Sequence, residues 1–342
     1  MTFSQLPDDR FIAASRLSGA RESVTHLEAA ILLRTQHFRT VTQHCAESFR
    51  CTGSNELAVR HALLRLHGAR LLISEPEFIE YCRLREPDGE SRPAIEMVRV
   101  PTRNRSSSLH ASVTGICQNL QEHGRKVTIV VGDDSDPPEE EAGRYALHNL
   151  STAFLQTGIF MGTHARRALA RQISRYAQVD PQVLTFALSR DERFKFAPGI
   201  NRNALLLASA GSMALMSDDD VFWPLAAAPG YLPGTKLTSS FDPTEIWFYP
   251  DHDSAVAAVQ PVQRDVLSVH EELLGRTPAA SIAESEHSEE IDVNGVSTEL
   301  GEQLAANRGR VRVTHVGIAG DCAIGSMRHY FLWSGETRER LL

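Results

Sequence analysis

Apolar and polar positions follow two different periods along this chain. Val127–Val131 is an unbroken run rich in β-branched residues, the pattern of a strand buried on both faces. Ile95–Val100 and Met213–Met216 read as two more strands. Between the first and second of these, Leu109, Val113, Ile116 and Leu120 recur at helical spacing. The spacing predicts a strand–helix–strand unit. A helical stretch is expected over Tyr145–Tyr176, and a further apolar helix runs from Asn201 to Gly211. Near the C-terminus Val311–Val316 reads as a strand, followed by a helix containing Met327–Leu332.

The N-terminal third has a different texture. Residues 1–22 are polar and are expected to be loosely ordered. Leu27–Leu33 reads as a strand or a short helix. Thr40-Val41-Thr42-Gln43 has the form of a capping box that opens a helix through Phe49. After a turn at Gly53-Ser54, an apolar stripe of Leu57, Ala58, Ala62, Leu63 and Leu66 marks a second helix, with Leu71–Ile73 as a short strand behind it. Helix, turn, helix and strand predict a small winged-helix-like α+β domain over residues 23–85. The polar stretch Glu86–Arg92 is the expected linker, and residues 94–342 form the expected second domain. Thr277–Val293, rich in Ala, Ser, Glu and His, reads as a second segment of low order, either a lid or a solvated loop.

Candidate chemistry gathers where strands end. Met213–Met216 runs into Asp218, Asp219 and Asp220. Three adjacent carboxylates repel one another, and a hard cation such as Mg²⁺ or Mn²⁺ would relieve that repulsion. The alternative reading is a solvated acidic loop. Val127–Val131 runs into Gly132-Asp133-Asp134-Ser135, and Ile95–Val100 into Pro101-Thr102-Arg103-Asn104-Arg105. If the strands are parallel, all three polar loops open on one edge of one sheet, where α/β proteins place ligands.

Taken in order, these motifs resemble the inverting family 2 glycosyltransferases of the GT-A nucleotide-diphospho-sugar-binding fold. That pattern is a strand ending in P-T-x-N-R, a helix, a strand ending in D-D-x-S, an R-N helix, and a strand ending in D-x-D. Here the four read Pro101–Arg105, Asp133–Ser135, Asn201-Arg202-Asn203 and Asp218–Asp220, within residues 94–225. The resemblance implies metal-dependent transfer of a sugar from a nucleotide diphosphate sugar to an acceptor. Thr102 and Arg105 would lie near the nucleotide and its diphosphate, and Asp133 or Asp134 would accept hydrogen bonds from the base. Arg202 would reach the diphosphate or sugar, Asp218 and Asp219 would touch the donor, and Asp220 would hold Mn²⁺ or Mg²⁺. Inversion needs a carboxylate to take the acceptor proton. Asp321, behind the expected strand Val311–Val316, is the leading candidate, with Asp251 and Asp253 as competitors. His315 is a further metal-ligand candidate or a packed core residue. The N-terminal region loosely resembles the leader-recognition modules of enzymes that modify ribosomally made peptides, which implies a peptide or protein partner; DNA binding through Arg60, Arg65, Arg70, His61 and His67 of the second helix, or a purely structural cap on the second domain, are the alternatives.

Composition narrows the classes. The 342 residues carry a net charge of −8, which argues against a general nucleic-acid or anionic-membrane surface. No apolar stretch approaches the roughly 18–20 residues that span a bilayer. The first residues lack the basic-then-apolar pattern of a secretory signal. The five cysteines are scattered without metal spacing, so reduced thiols in the cytoplasm are expected. Two rivals remain: a GT-A-like protein that binds peptide or nucleotide without catalysis, and a nucleotidyltransferase. The absence of glycine from Pro101–Ser108 counts against the second.

Overall fold

The computed structural model describes residues 2–6, 10–84, 93–189, 198–230, 234–239, 245–284, 291–317, 331, 333 and 335–341. The chain opens with β1 (Thr2–Gln5), β2 (Phe11–Ala14), β3 (Arg21–Val24), α1 (His26–Leu32), α2 (Val41–Thr52), α3 (Glu56–Gly68) and α4 (Glu75–Arg83). There follow β4 (Met97–Thr102), α5 (Ser106–Glu122), β5 (Thr128–Asp133), α6 (Pro137–Ala153), β6 (Thr157–Met161), α7 (Thr163–Ala177), α8 (Pro181–Leu188), α9 (Pro198–Ala208), β7 (Ala214–Met216) and β8 (Leu225–Ala227). The last third carries β9 (Thr235–Thr238), α10 (His252–Ala258), β10 (Gln260–Val262), α11 (Val266–Glu271), α12 (Pro278–Glu284), β11 (Ile291–Gly295), α13 (Thr298–Ala305) and α14 (Gly335–Leu341). Inter-residue contacts divide the chain into two compact units. One joins Met1–Ser91 to Ala228–Val259 and Leu273–Leu342; the other joins Arg92–Ala227 to Gln260–Glu272.

The second unit is mixed α/β around a parallel sheet of order β6-β5-β4-β7. The strands expected from the apolar runs are β4, β5 and β7, and the expected helix is α5. Val98, Val100, Ile129 and Val131 are buried against Leu109, Val113, Ile116 and Leu120 of α5. Each such aliphatic side chain contributes about 1.5–3 kcal/mol of burial, so this strand–helix interface anchors the unit. The expected single helix over Tyr145–Tyr176 is instead α6, β6 and α7. Leu155 adopts φ 53° just after α6, which turns the chain back to lay β6 beside β5. Gly158 permits this close approach, because a Cβ there would lie 2.9 Å from Ser151 Oγ. Arg125 ties α11 to the unit through ion pairs with Asp265 and Glu271, and Glu271 also accepts from the Ile95 amide at 2.6 Å.

The first unit corrects several expectations. Residues expected to be loosely ordered form the antiparallel meander β1-β2-β3, so the sheet precedes the helices rather than following them. Ala13 and Val24 supply its buried face, packed with Ile31, Val59, Leu63 and Leu66. Leu27–Leu33 lies in α1 and its C-terminal cap rather than a strand, and the Thr40–Gln43 capping box opens α2. Leu71–Ile73 is not a strand. The Leu71 and Leu72 amides donate to Leu66 O, closing the end of α3 around Arg70 at φ 57°. Of the expected low-order segment Thr277–Val293, 278–284 form α12 and 291–293 open β11, while 285–290 lie outside the described residues. Ile282, Ile291 and Val293 are buried against Phe78, Ile79 and Cys82 of α4. That apolar face explains why 228–259 and 273–342 cluster with the N-terminal residues rather than joining a 94–342 domain. Val311–Val316 forms no strand. Val311 makes reciprocal backbone hydrogen bonds with Gly275 and Arg276, and Val313 is exposed.

Candidate functional site

The order β6-β5-β4-β7 sets the site. From β4 the chain steps outward to β5 and β6, then returns to the far side of β4 as β7. That reversal makes a topological switch point between β4 and β7, the place where open α/β sheets bind ligands beyond their carboxyl ends. Thr102 closes β4 there, and the Asp218–Asp220 triplet follows β7.

Each member of the triplet has its own partner. Asp219 is buried and accepts from Thr102 Oγ1 at 2.6 Å. Burial raises its pKa, opposed by the Thr102 hydrogen bond and Arg105, while Asp220 and Asp218 push it further up. Asp220 lies at the exposed rim and accepts from Arg105 Nη1 at 2.7 Å; the same nitrogen is 3.6 Å from Asp219. Asp218 accepts from Arg202 Nη2 at 2.9 and 3.3 Å. Two carboxylates therefore already converge on one cationic nitrogen, the arrangement a divalent cation would need. Among the described residues no three His, Cys, Asp or Glu side chains form a ready-made metal cage. This donor set fits a cation that takes one or two carboxylates and completes its shell with phosphate oxygens and water, as Mg²⁺ does.

The neighbouring loops are fastened to one another. Asn104 sits in the left-handed region at φ 52°, which Asn tolerates better than most residues. Its amide donates to Ser135 Oγ at 2.7 Å. Its side chain donates to Asp136 at 3.0 Å and accepts from the Asp136 amide at 2.8 Å. Asn201, buried at the start of α9, donates from Nδ2 to Thr102 O at 3.1 Å and to Gly132 O at 2.6 Å. A Cβ at residue 132 would collide with Asn201 Oδ1 and Leu205, so glycine there lets α9 close on the strand ends.

The two acids after β5 differ. Asp133 is buried beside Thr102 in the β4–β5 register, its Oδ2 toward Gly143 of α6. Its pKa is pushed up to about 6, chiefly by burial, against hydrogen bonds from Ser135 that favour the charge. Oδ2 has no hydrogen-bond partner. Asp134 instead accepts from Arg166 Nη2 at 2.7 Å, and both are buried. Arg166 Nε and Nη1 are also buried without partners. Asp134 and Arg166 line a polar cavity of about 360 Å³ with Ser135, Thr163, Arg167 and Ser189.

The structure thus brings Thr102, Arg105, Asp219 and Asp220 into one contact chain and sets Arg202 on Asp218. It places Asp134 at a cavity and Asp133 beneath α6. Asp321 lies outside the described residues. The strand on which its assignment rested is absent, and 273–342 belong to the other unit. Asp251 caps α10 by accepting from the Ser254 amide at 2.8 Å, as a turn residue does, with Asp253 in the first turn of that helix. His315 is exposed, not a core residue. Sequence reasoning missed Arg166 and Asn201. Arg166 had a signal: with Leu169, Ala170 and Ile173 it occupies the i, i+3, i+4, i+7 stripe that faces the core, and a charge on such a stripe implies a buried partner. No family model, curated protein or solved structure matches the chain.

Proposed function

We propose that the second unit binds a nucleotide diphosphate sugar at the switch point and transfers its sugar with the help of a divalent cation, as a GT-A glycosyltransferase. The observation that carries this reading is the convergence of four separate segments, Thr102–Arg105, Asp133–Ser135, Asn201–Arg202 and Asp218–Asp220, at one end of one parallel sheet. The cavity beside Asp134 takes the base: the carboxylate accepts an N–H, and the two unpartnered Arg166 nitrogens donate to a ring carbonyl. Asp220, with Asp219 behind it, holds Mn²⁺ or Mg²⁺, which neutralises the diphosphate as it leaves. Arg105 and Arg202 are then released from their carboxylates to stabilise the same charge. The acceptor is a peptide or protein, and the protein works in the cytoplasm.

Calorimetry with nucleoside diphosphates tests this. Uridine and guanosine diphosphates should bind with Mn²⁺ present, and Asp220→Ala should remove most of the metal-dependent part. Equal affinity with and without Mn²⁺, or in wild type and variant, refutes the assignment. A second reading, a peptide-binding protein, is favoured by β3. Among the described residues β3 pairs with β2 alone, leaving an edge on which an extended peptide could add a strand. Nucleotide binding without donor hydrolysis or transfer would favour that reading.

A further inference from the structure

We propose that the outward face of the α7–α8 hairpin docks on an anionic phospholipid surface. Apart from Arg167, which also lines the cavity beside Asp134, the basic and apolar residues concerned lie outside the donor site. Helix α7 turns Ala165, Leu169, Ala170 and Ile173 inward, where the last two pack with Leu184 and Leu188 of α8. The opposite side of α7 carries Arg167, Arg171 and Arg175 on successive turns, all exposed. Among the described residues none of the three has an acidic partner, whereas Arg105, Arg125, Arg144, Arg166 and Arg202 of the same unit are all ion-paired. Residues 163–189 hold four arginines and one acid, Asp180, in a chain whose net charge is −8.

The hairpin also exposes large apolar side chains. Tyr176 is 93% exposed, Phe186 82% and Val183 56%. Arginines held away from their own carboxylates, together with aromatic and aliphatic groups in water, match an interface with phosphate headgroups above and acyl chains below. Nucleic acid would satisfy the arginines but give Val183 and Phe186 no apolar phase, so the lipid surface is the better fit. In a chain whose net charge is −8, this basic face would orient the protein at such a surface.

The test is co-sedimentation of the full-length protein with phosphatidylcholine vesicles containing about 30% phosphatidylserine. Binding is expected at low salt and should be lost in about 0.5 M NaCl, where charges are screened within a few ångströms. An arginine at such a surface counts for about fivefold in affinity, so Arg171→Gln with Arg175→Gln should weaken binding about 30-fold. Phe186→Ser should weaken it separately, in a manner insensitive to salt. All three positions are exposed, and thermal unfolding verifies that each variant keeps its fold. Equal binding to pure phosphatidylcholine, no binding to either vesicle, or unchanged binding by the double variant overturns the proposal. Salt-sensitive binding of a single-stranded RNA without vesicle binding would assign the face to nucleic acid instead.

Discussion

Asn201 and Arg202 are adjacent, yet one is buried in hydrogen bonds to the strand ends and the other lies exposed on Asp218, and paired substitutions separate the structural role of the first from the ligand role proposed for the second. Asn201→Ala removes two buried hydrogen bonds that hold the ends of β4 and β5 to α9. Each has a net worth of about 0.5–1.5 kcal/mol. With the small cavity left behind, the expected loss is about 2–3 kcal/mol. For a unit of this size that lowers the melting temperature by about 4–12 °C. Asn201→Asp should cost more at neutral pH, because an unpaired carboxylate would face two carbonyls. Arg202→Ala breaks an exposed pair with Asp218, worth about 0–1 kcal/mol, so its melting temperature should stay within about 2 °C of wild type. Its nucleoside diphosphate affinity should nonetheless fall. The assay is thermal unfolding of the three variants, followed by calorimetry with nucleotide. If Asn201→Ala melts with the wild type, or Arg202→Ala falls as far as Asn201→Ala, the division of labour is wrong.

Arg166→Met should strip the Asp134 carboxylate of its buried counter-charge and cost about 3–5 kcal/mol, read as a drop in urea midpoint at pH 7; an unchanged midpoint would mean water reaches the pair. Asp133 has a folded pKa raised to about 6 from an unfolded value of about 3.9, so the native state holds its proton more tightly. Its contribution is full below about pH 4 and is lost as pH rises through about 6. Asp133→Asn should therefore gain in relative melting temperature between pH 4 and pH 7, and a pH-independent difference would contradict the burial argument. A chain beginning at Pro93 should be insoluble, because it uncovers Ile282, Val293, Val296 and Leu304; soluble, cooperatively unfolding protein would show that α4 is dispensable.

What could be read in the sequence tracks how each element is buried. Strands β4 and β5 lie inside the parallel sheet, so they are near-continuous apolar runs, and the polar residues at their ends stand out. Thr102 and Asp134 were visible for that reason; the Asp218–Asp220 triplet follows the short edge strand β7 and stood out by its own charge. Strand β6 lies at the sheet edge and is largely exposed, so Thr157–Met161 carries little apolar signal and merged into the helical patterns on either side. The four-residue strands of the N-terminal meander are similarly half polar. Their pairing depends on turns rather than on runs. The side-chain bonds of Asn201 and Arg166 join segments about 30 to 100 residues apart, which local spacing does not record. Net charge is an average of another kind: a total of −8 does not record that Arg167, Arg171 and Arg175 stand a helical turn apart.

The interleaved order of the two units has a consequence for biosynthesis. Phe78, Ile79 and Cys82 leave the ribosome early, but the residues that cover them, Ile282 through Leu304, arrive about 200 residues later. At about 5–20 residues per second, that apolar face waits roughly 10–40 s for its cover. During that interval the second unit is also unfinished, since 260–272 has yet to emerge. The second unit is complete only about 10 residues before the cover of the first begins to emerge. A nascent chain that stalls between β8 and β10 would therefore present two open cores to the chaperones at once.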